Sequence, residues 1–266
     1  MMTARTVAEV RSALAPERAK GRRIGLVPTM GAFHGGHLAL IRAARDACDM
    51  VVVSLFVNPA QFDEPDDLER YPRDEAADAV VADREGVDIL FAPPPEELYP
   101  PGFDTWVEPG ALGEVLEGAA RPGHFRGVAT VCTKLFTIVA PDPAWFGQKD
   151  AQQVAVVRRV TTDLDLPLEI ITVPTVRDPD GLALSSRNAR LSPAERASAL
   201  ALPRALEAGA AAQAADSDPV ATARAVLDGE PGVRVEYVAV AAFDVPTLVA
   251  AIRVGTTRLI DNVRLR

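Results

Sequence analysis

The chain has 266 residues, 48% of them hydrophobic and 24% charged, which excludes an intrinsically disordered protein and allows one large domain or two modest ones. Thirty-seven acidic against 28 basic residues leave a formal charge of -9. That balance argues against a general nucleic-acid surface, but not against a small anion held in a locally basic cleft. The apolar run Val51–Val57 is broken by Ser54 and falls far short of the roughly 18 residues of a membrane span. Arg5, Glu9 and Arg11 interrupt the N-terminus, so it lacks the apolar core of a signal peptide. Cys48 and Cys132 have no paired spacing and read as reduced, buried thiols. The expectation is a soluble, cytoplasmic, globular protein with neither a nucleic-acid nor a membrane partner.

In chain order, Ile24–Val27 reads as a short strand, Leu38–Ala47 as a helix and Met50–Val57 as a continuous apolar strand. Asp74–Glu85 follows as a helix and Val87–Phe91 as another buried strand. A helix from about Val128 to Val139, a strand near Ala144–Phe146, a helix from about Ala151 to Asp163 and a strand at Leu168–Val173 continue the alternation. Strands apolar on both faces and separated by helices predict an α/β fold: a Rossmann-like parallel sheet with helices on both faces. After Val176 the texture changes to a polar connection, Arg177–Asn188. A long helix from Ser192-Pro193 to about Ala212 comes next, then a second helix, and strands near Arg234–Val240 and Thr257–Ile260 with a small helix between them. Residues 1–176 are therefore expected to form a nucleotide- and substrate-binding domain, and 177–266 a smaller α+β domain.

Two of the three histidines, His34 and His37, lie three apart in PTMGAFHGGH (Pro28–His37), between the first strand and the first helix. A helix N-terminus attracts phosphate through its unbonded N–H groups and its dipole, and Gly35 and Gly36 carry no side chain to hold a nucleotide away. The same dipole disfavours imidazolium, so neutral hydrogen-bond donors are expected. Two surface histidines, or half of a zinc site, are the blander alternatives, although no third ligand stands at zinc spacing. Position favours a ligand site, because ligands of parallel α/β sheets bind at the carboxyl ends of the strands. FGQKD (Phe146–Asp150) also follows a strand and precedes a helix, with Gly147 at its turn and Lys149 as a compact positive charge. LALSSRN (Leu182–Asn188) adds two hydroxyls, backbone donors and Arg187 in a polar loop.

PTMGAFHGGH resembles the His-x-Gly-His signature of the nucleotidyltransferase superfamily. Together with FVNPAQF (Phe56–Phe62), YPR (Tyr71–Arg73), RPGHFRGV (Arg121–Val128), FGQKD and SSRN in this order, it is similar to the pantoate–β-alanine ligase family. The resemblance runs from about residue 24 to 190 and implies a homodimer that joins pantoate to β-alanine using ATP and Mg²⁺ through a pantoyl adenylate. It implies that Met30, Gly31, Ala32, Phe33, His34, Gly35, Gly36 and His37 line the ATP site, with His34 and His37 on the phosphates and His37 as proton donor. Gly147, Gln148, Lys149 and Asp150 would hold phosphates and ribose, Val176 would touch adenine, Ser185, Ser186 and Arg187 would close over pyrophosphate, and Leu184 belongs to the ATP site beside them. Gln61 and Gln153 match the pantoate ligands, Asn58 and Tyr71 line the pocket, and Asp78 matches an acidic position associated with magnesium. Lys149, Ser185, Ser186 and Arg187 count with the two histidines as the catalytic set.

Phe33 and Leu184 stand where the family usually has leucine and methionine; the Leu-for-Met exchange nearly conserves volume and should cost less than about 1.5 kcal/mol. Arg121 and Arg126 add positive potential, whereas His124 beside Phe125 reads as packing under a loop. Two other functions stay open at this point. One is an adenylyltransferase acting on a phosphate ester, against which the two glutamines speak. The other is a noncatalytic nucleotide-binding module, against which the intact His34, His37, Lys149 and Arg187 speak. The C-terminal domain is expected to act as a lid, because a mixed anhydride hydrolyses in water.

Overall fold

A computed structural model describes residues 1–63 and 65–265, which fall into two compact units. The first comprises Met1–Gly147 and Gln152–Val173, and the second Gln148–Ala151 and Pro174–Arg266. The three-residue turn after the fifth strand thus belongs with the C-terminal unit.

The first unit runs β1 (Met2–Ala4), α1 (Val7–Ala19), β2 (Ile24–Thr29), α2 (Gly35–Ala47), β3 (Met50–Leu55), α3 (Pro65–Glu69), α4 (Glu75–Arg84) and β4 (Ile89–Phe91). It continues with α5 (Pro95–Leu98), α6 (Glu117–Ala120), α7 (His124–Val139), β5 (Pro143–Gly147), α8 (Ala151–Asp163) and β6 (Glu169–Val173). The strands form a six-stranded sheet in the order β1-β4-β3-β2-β5-β6, and every pairing is parallel. Alternation explains why the strands read as apolar throughout. Leu26, Val52, Ile89, Phe91, Ala144 and Phe146 pack in a core with α1, α7 and α8. Val27, Val51, Val53, Leu90 and Trp145 pack in a separate one with α2 and α4. Both faces are covered, as a parallel sheet requires.

The strand order reverses at β2, where the chain leaves for β3 on one side and β5 lies on the other, paired at Leu26–Ala144. Crevices at such a reversal are where open α/β sheets bind ligands, beyond the carboxyl ends of the strands. Here β2 runs into the histidine-bearing turn and β5 ends on Gly147.

The second unit contains α9 (Pro193–Ala199), α10 (Ala201–Ala214), α11 (Pro219–Asp228), β7 (Val233–Ala242), β8 (Pro246–Val254) and β9 (Thr257–Arg264), the strands in an antiparallel sheet ordered β7-β8-β9. Two sequence expectations are corrected here. The long helix from residue 193 is two helices: Leu200 flattens to ψ -11°, and Pro203, which has no N–H to give, falls in the first turn of α10. In place of the small helix expected between the last two strands stands β8, the central strand. Its Ala-Ala step reads as helical, but Leu248, Ala250, Ile252 and Val254 alternate into the core of this unit, and both strand edges are paired. Neither β1 nor α1 was expected. The first is a three-residue edge strand on β4, and the second is held by a capping box of Thr6 and Glu9.

Candidate active site

The turn between β2 and α2 carries most of the sequence signal, and its backbone is unusual. Gly31 and Ala32 are both left-handed, with φ of 84° and 52°, a conformation that costs alanine about 1–2 kcal/mol. Asp78, reaching from α4, offsets this cost. Its Oδ2 accepts the N–H of Ala32 and its Oδ1 the N–H of Phe33, each at 2.8 Å. A Cβ on Gly31 would lie 2.7 Å from Asp78 Oδ2 and from Leu55 Cδ1, so glycine there permits the approach as well as the backbone angle.

Beyond the turn, His34 is the N-cap of α2 and His37 its third residue, and each ring serves the backbone of the other's segment. His34 Nδ1 accepts the N–H of Gly36 at 3.1 Å, and His37 Nδ1 accepts the N–H of His34 at 3.3 Å. A ring nitrogen that accepts carries no proton, so this arrangement suits neutral rings with their protons on Nε2. The ring centroids are 4.2 Å apart. The helix end is therefore not the bare cluster of N–H groups pictured from the sequence. Part of its donor set is satisfied by imidazole, and the outward donor is expected to be Nε2–H. The space above Gly36 is likewise taken by the ring of His34, whose Cε1 would lie 2.9 Å from an added Cβ.

Of the residues matched to pantoate, Gln61 sits beside this turn in the same unit. Asn58 is 1% exposed and caps the short turn Pro59–Gln61; its Nδ2 donates to Gln61 Oε1 at 3.0 Å and to the Gly127 carbonyl at 3.1 Å. That bond commits Gln61 Oε1 and leaves Nε2 as the donor end, 3.2 Å from Met30 Sδ, a weak acceptor. The structure thus brings Met30 of the histidine turn and Gln61 into contact. Gly127 allows α7 to approach, because a Cβ there would lie 2.2 Å from the Ala60 carbonyl oxygen. Tyr71 packs edge-on against Phe62, next to Gln61.

Behind the turn, His124 Nδ1 meets the Gln61 carbonyl at 2.8 Å and Arg121 meets the same oxygen at 3.2 Å, while Arg121 Nε donates to Asp63 at 3.1 Å. His124, buried at 8% exposure, holds the loop, as its packing context suggested. On α8, the fully bonded amide is that of Gln152, which links Leu112, Val115 and Glu117; Gln153 is half-buried.

Asp78 has a structural role that the sequence did not show. Matched to a magnesium position, it is buried at 5% exposure, and each of its oxygens accepts one backbone N–H, which leaves a lone pair on each. Among the described residues no group of three or more His, Cys, Asp or Glu is placed to hold a metal ion. A magnesium at this site would therefore take most of its ligands from nucleotide phosphates and water, with Asp78 as a single carboxylate. The thiols are not available for chemistry: burial pushes the Cys132 pKa up to about 12 and raises that of Cys48.

In the second unit, Lys149 Nζ lies 3.4 Å from Asp150 Oδ1, and both side chains are partly exposed. Ser185 caps a short helical turn, Ser186–Arg190, by accepting the Arg187 N–H at 3.2 Å. The Val176 carbonyl accepts the N–H of Leu184 at 2.9 Å, so the expected adenine contact and the serine loop are joined by the backbone. Sequence reasoning missed Asp261 and Asn262, which are buried on β9 and bonded to these loops. A signal was present, namely two adjacent polar residues inside the otherwise apolar run LIDNV.

A doubly covered parallel sheet, with a paired-histidine turn at its order reversal and the Gln61 amide against that turn, defines a Rossmann-like α/β enzyme. The profile of one family, described as pantoate-beta-alanine ligase, matches residues 2–264, and the chain belongs to that family. It is 54% identical to pantothenate synthetase 1 of Bradyrhizobium diazoefficiens, covering 97% of this chain and 96% of that protein. A crystal structure of pantothenate synthetase from Thermus thermophilus superposes with a TM-score of 0.91 at 45% identity, over 99% of each chain. Pantoate-beta-alanine ligase from Francisella tularensis, crystallised with beta-gamma ATP and beta-alanine, gives a TM-score of 0.86 at 34% identity, covering 99% of this chain and 97% of that one.

Proposed function

We infer that this chain condenses pantoate with β-alanine at the expense of ATP, through a pantoyl adenylate, releasing pyrophosphate and then AMP. The observation that carries the inference is the contact of Gln61 Nε2 with Met30 Sδ: an oriented amide donor for a hydroxy acid lies against the turn that bears His34 and His37.

In the first half-reaction the pantoate carboxylate attacks the α-phosphorus. Two anions meet and charge grows on the phosphoryl oxygens, so fixed donors are the main requirement. The Nε2–H groups of His34 and His37 are assigned to those oxygens, with His37 as proton donor, and Met30 to Gly36 line the nucleotide's bed. Gln61, held by Asn58, and Gln153 orient pantoate, with Tyr71 as a wall. Lys149 is assigned to the phosphates, Asp150 to the ribose, and Gly147 and Gln148 to close backbone approach. Val176 and Leu184 are assigned to the base. Ser185, Ser186 and Arg187 take the departing pyrophosphate. In the second half-reaction the β-alanine amine attacks the acyl carbon and AMP leaves as a phosphate anion, a far better leaving group than hydroxide.

Magnesium, on this scheme, would be carried mainly by the nucleotide's own phosphates, with Asp78 as the one carboxylate matched to it, and no step is derived through it. Protection of the mixed anhydride from water is assigned to the C-terminal unit. A cytoplasmic enzyme acting as a homodimer completes the proposal, and sedimentation at micromolar concentration checks the dimer. Among the described residues no helix is long and apolar enough to cross a membrane. The decisive experiment is exchange of labelled pyrophosphate into ATP without amine. Exchange should require pantoate; its absence, or exchange driven equally by a phosphate ester, would overturn the scheme.

A further inference from the structure

We propose that Asn262, on the last strand of the C-terminal unit, is a positioning residue for Lys149: it fixes the backbone of the Gln148–Asp150 turn and so the direction in which the lysine leaves it. This rests on the functional reading above only in taking Lys149 as a nucleotide-binding group.

Asn262 lies on β9 at 5% exposure. Its Nδ2 donates to the carbonyl oxygens of Gln148 and Lys149, both at 2.9 Å, and its Oδ1 accepts from Gln148 Nε2 at 3.1 Å. Both amide protons and the amide oxygen are therefore spent on a turn far earlier in the chain. The far end of Gln148 is held as well, its Oε1 accepting from Arg264 at 2.7 Å. Only a carboxamide can offer two coplanar donors and an acceptor from a short neutral side chain. An aspartate could not bond to either carbonyl, and an alanine could not reach them.

The preceding residue extends the device. Asp261 is 2% exposed, accepts the N–H of Asn262 at 2.8 Å, and pairs through both oxygens with Arg177, at 2.5 and 3.1 Å. Arg177 in turn donates to the Gly181 carbonyl at 3.2 Å, at the base of the loop that leads to Ser185–Arg187. Consecutive strand residues face opposite ways, so one dipeptide serves two loops. A residue needed for the sheet alone would be better as valine, because burying an amide is favourable only when all its groups are bonded. Here they are bonded to the turn and not to a neighbouring strand.

The test is a double-mutant cycle on the full-length enzyme. Affinity for a non-hydrolysable ATP analogue, pantoate-dependent pyrophosphate exchange and melting temperature are measured for wild type, Asn262→Asp, Asn262→Ala, Lys149→Ala and both double variants. The single Asn262 variants should weaken analogue binding about tenfold or more, the loss of two backbone bonds being felt through one lysine. They should raise the KM for ATP alike and leave the KM for pantoate within about twofold. In the Lys149→Ala background either change should cost less than about twofold, because groups acting as a unit are non-additive. Unchanged analogue affinity, equal loss for both substrates, additive losses, or failure of both Asn262 variants to fold would each overturn the proposal. Wild type that binds the analogue but shows no exchange would sink the functional reading while leaving the cycle readable.

Discussion

The turn bearing His34 and His37 follows β2 and the turn bearing Lys149 follows β5, its neighbour in the sheet, yet the two are held by different means. The histidine turn is fixed from within its own unit. Two left-handed residues bend it, Asp78 bonds its backbone twice, and the rings cap the start of their own helix. The Lys149 turn is held by Asn262 and Arg264, more than a hundred residues later in the chain. The first arrangement depends only on β2, α2 and α4, whereas the second depends on β9. One consequence is that damage to the first turn should appear in both stability and rate, while damage to the second should appear mainly in nucleotide affinity.

The largest effect that sharpens this contrast is expected at His37. His37→Ala removes a donor from the developing charge and should lower pantoate-dependent pyrophosphate exchange by roughly 10²–10⁴-fold. It also removes the acceptor for the His34 N–H, at a cost of about 1 kcal/mol. His37→Gln separates the two roles, since a glutamine at the third helical position can still accept that N–H. Its melting temperature should return toward wild type while exchange stays low. Recovery of exchange along with stability would reduce His37 to a cap.

Asp78 comes next. Asp78→Ala leaves the N–H groups of Ala32 and Phe33 without their acceptor in a half-buried turn, and should destabilise the protein by about 2 kcal/mol in urea unfolding, with activity falling in step. Asp78→Asn keeps one acceptor and should lose less. Raising magnesium should rescue neither variant. Rescue of Asp78→Asn by magnesium would put the metal role ahead of the backbone one.

What could be read from the sequence follows the same division between local and distant causes. The α/β sheet was legible because strands covered on both faces must be apolar at every position, as Val51–Val53 are. The three-residue β1 has no such pattern, and β8 misled because alanine at 250 and 251 signals a helix until the partners on both sides are known. The histidine turn stood out because its glycines, cap and rings all fall within the short stretch Pro28–His37. Asp78 was singled out, but its hold on the turn was not visible, since a carboxylate on a helix looks the same in sequence whether or not backbone donors face it. Asn262 carried only the faint signal of a polar pair in an apolar run, because its partners come from the other end of its unit's sequence, at 148 and 149.

The smallest effect comes from one of a pair of glycines, and the pair separates backbone demands from ligand demands. Gly31→Ala places a left-handed alanine at φ 84° with its Cβ 2.7 Å from Asp78 Oδ2, and should cost about 2–3 kcal/mol of stability. Gly147→Ala meets nothing within 4 Å at the end of β5, and should change stability by no more than about 0.5 kcal/mol. The protein itself therefore gives no reason for glycine at 147. If the nucleotide is that reason, Gly147→Ala should keep its melting temperature and lose affinity for a non-hydrolysable ATP analogue, the methyl standing where the phosphates approach. Full affinity would place the nucleotide elsewhere, and would leave Lys149 pointing at a ligand that does not reach the β5 end.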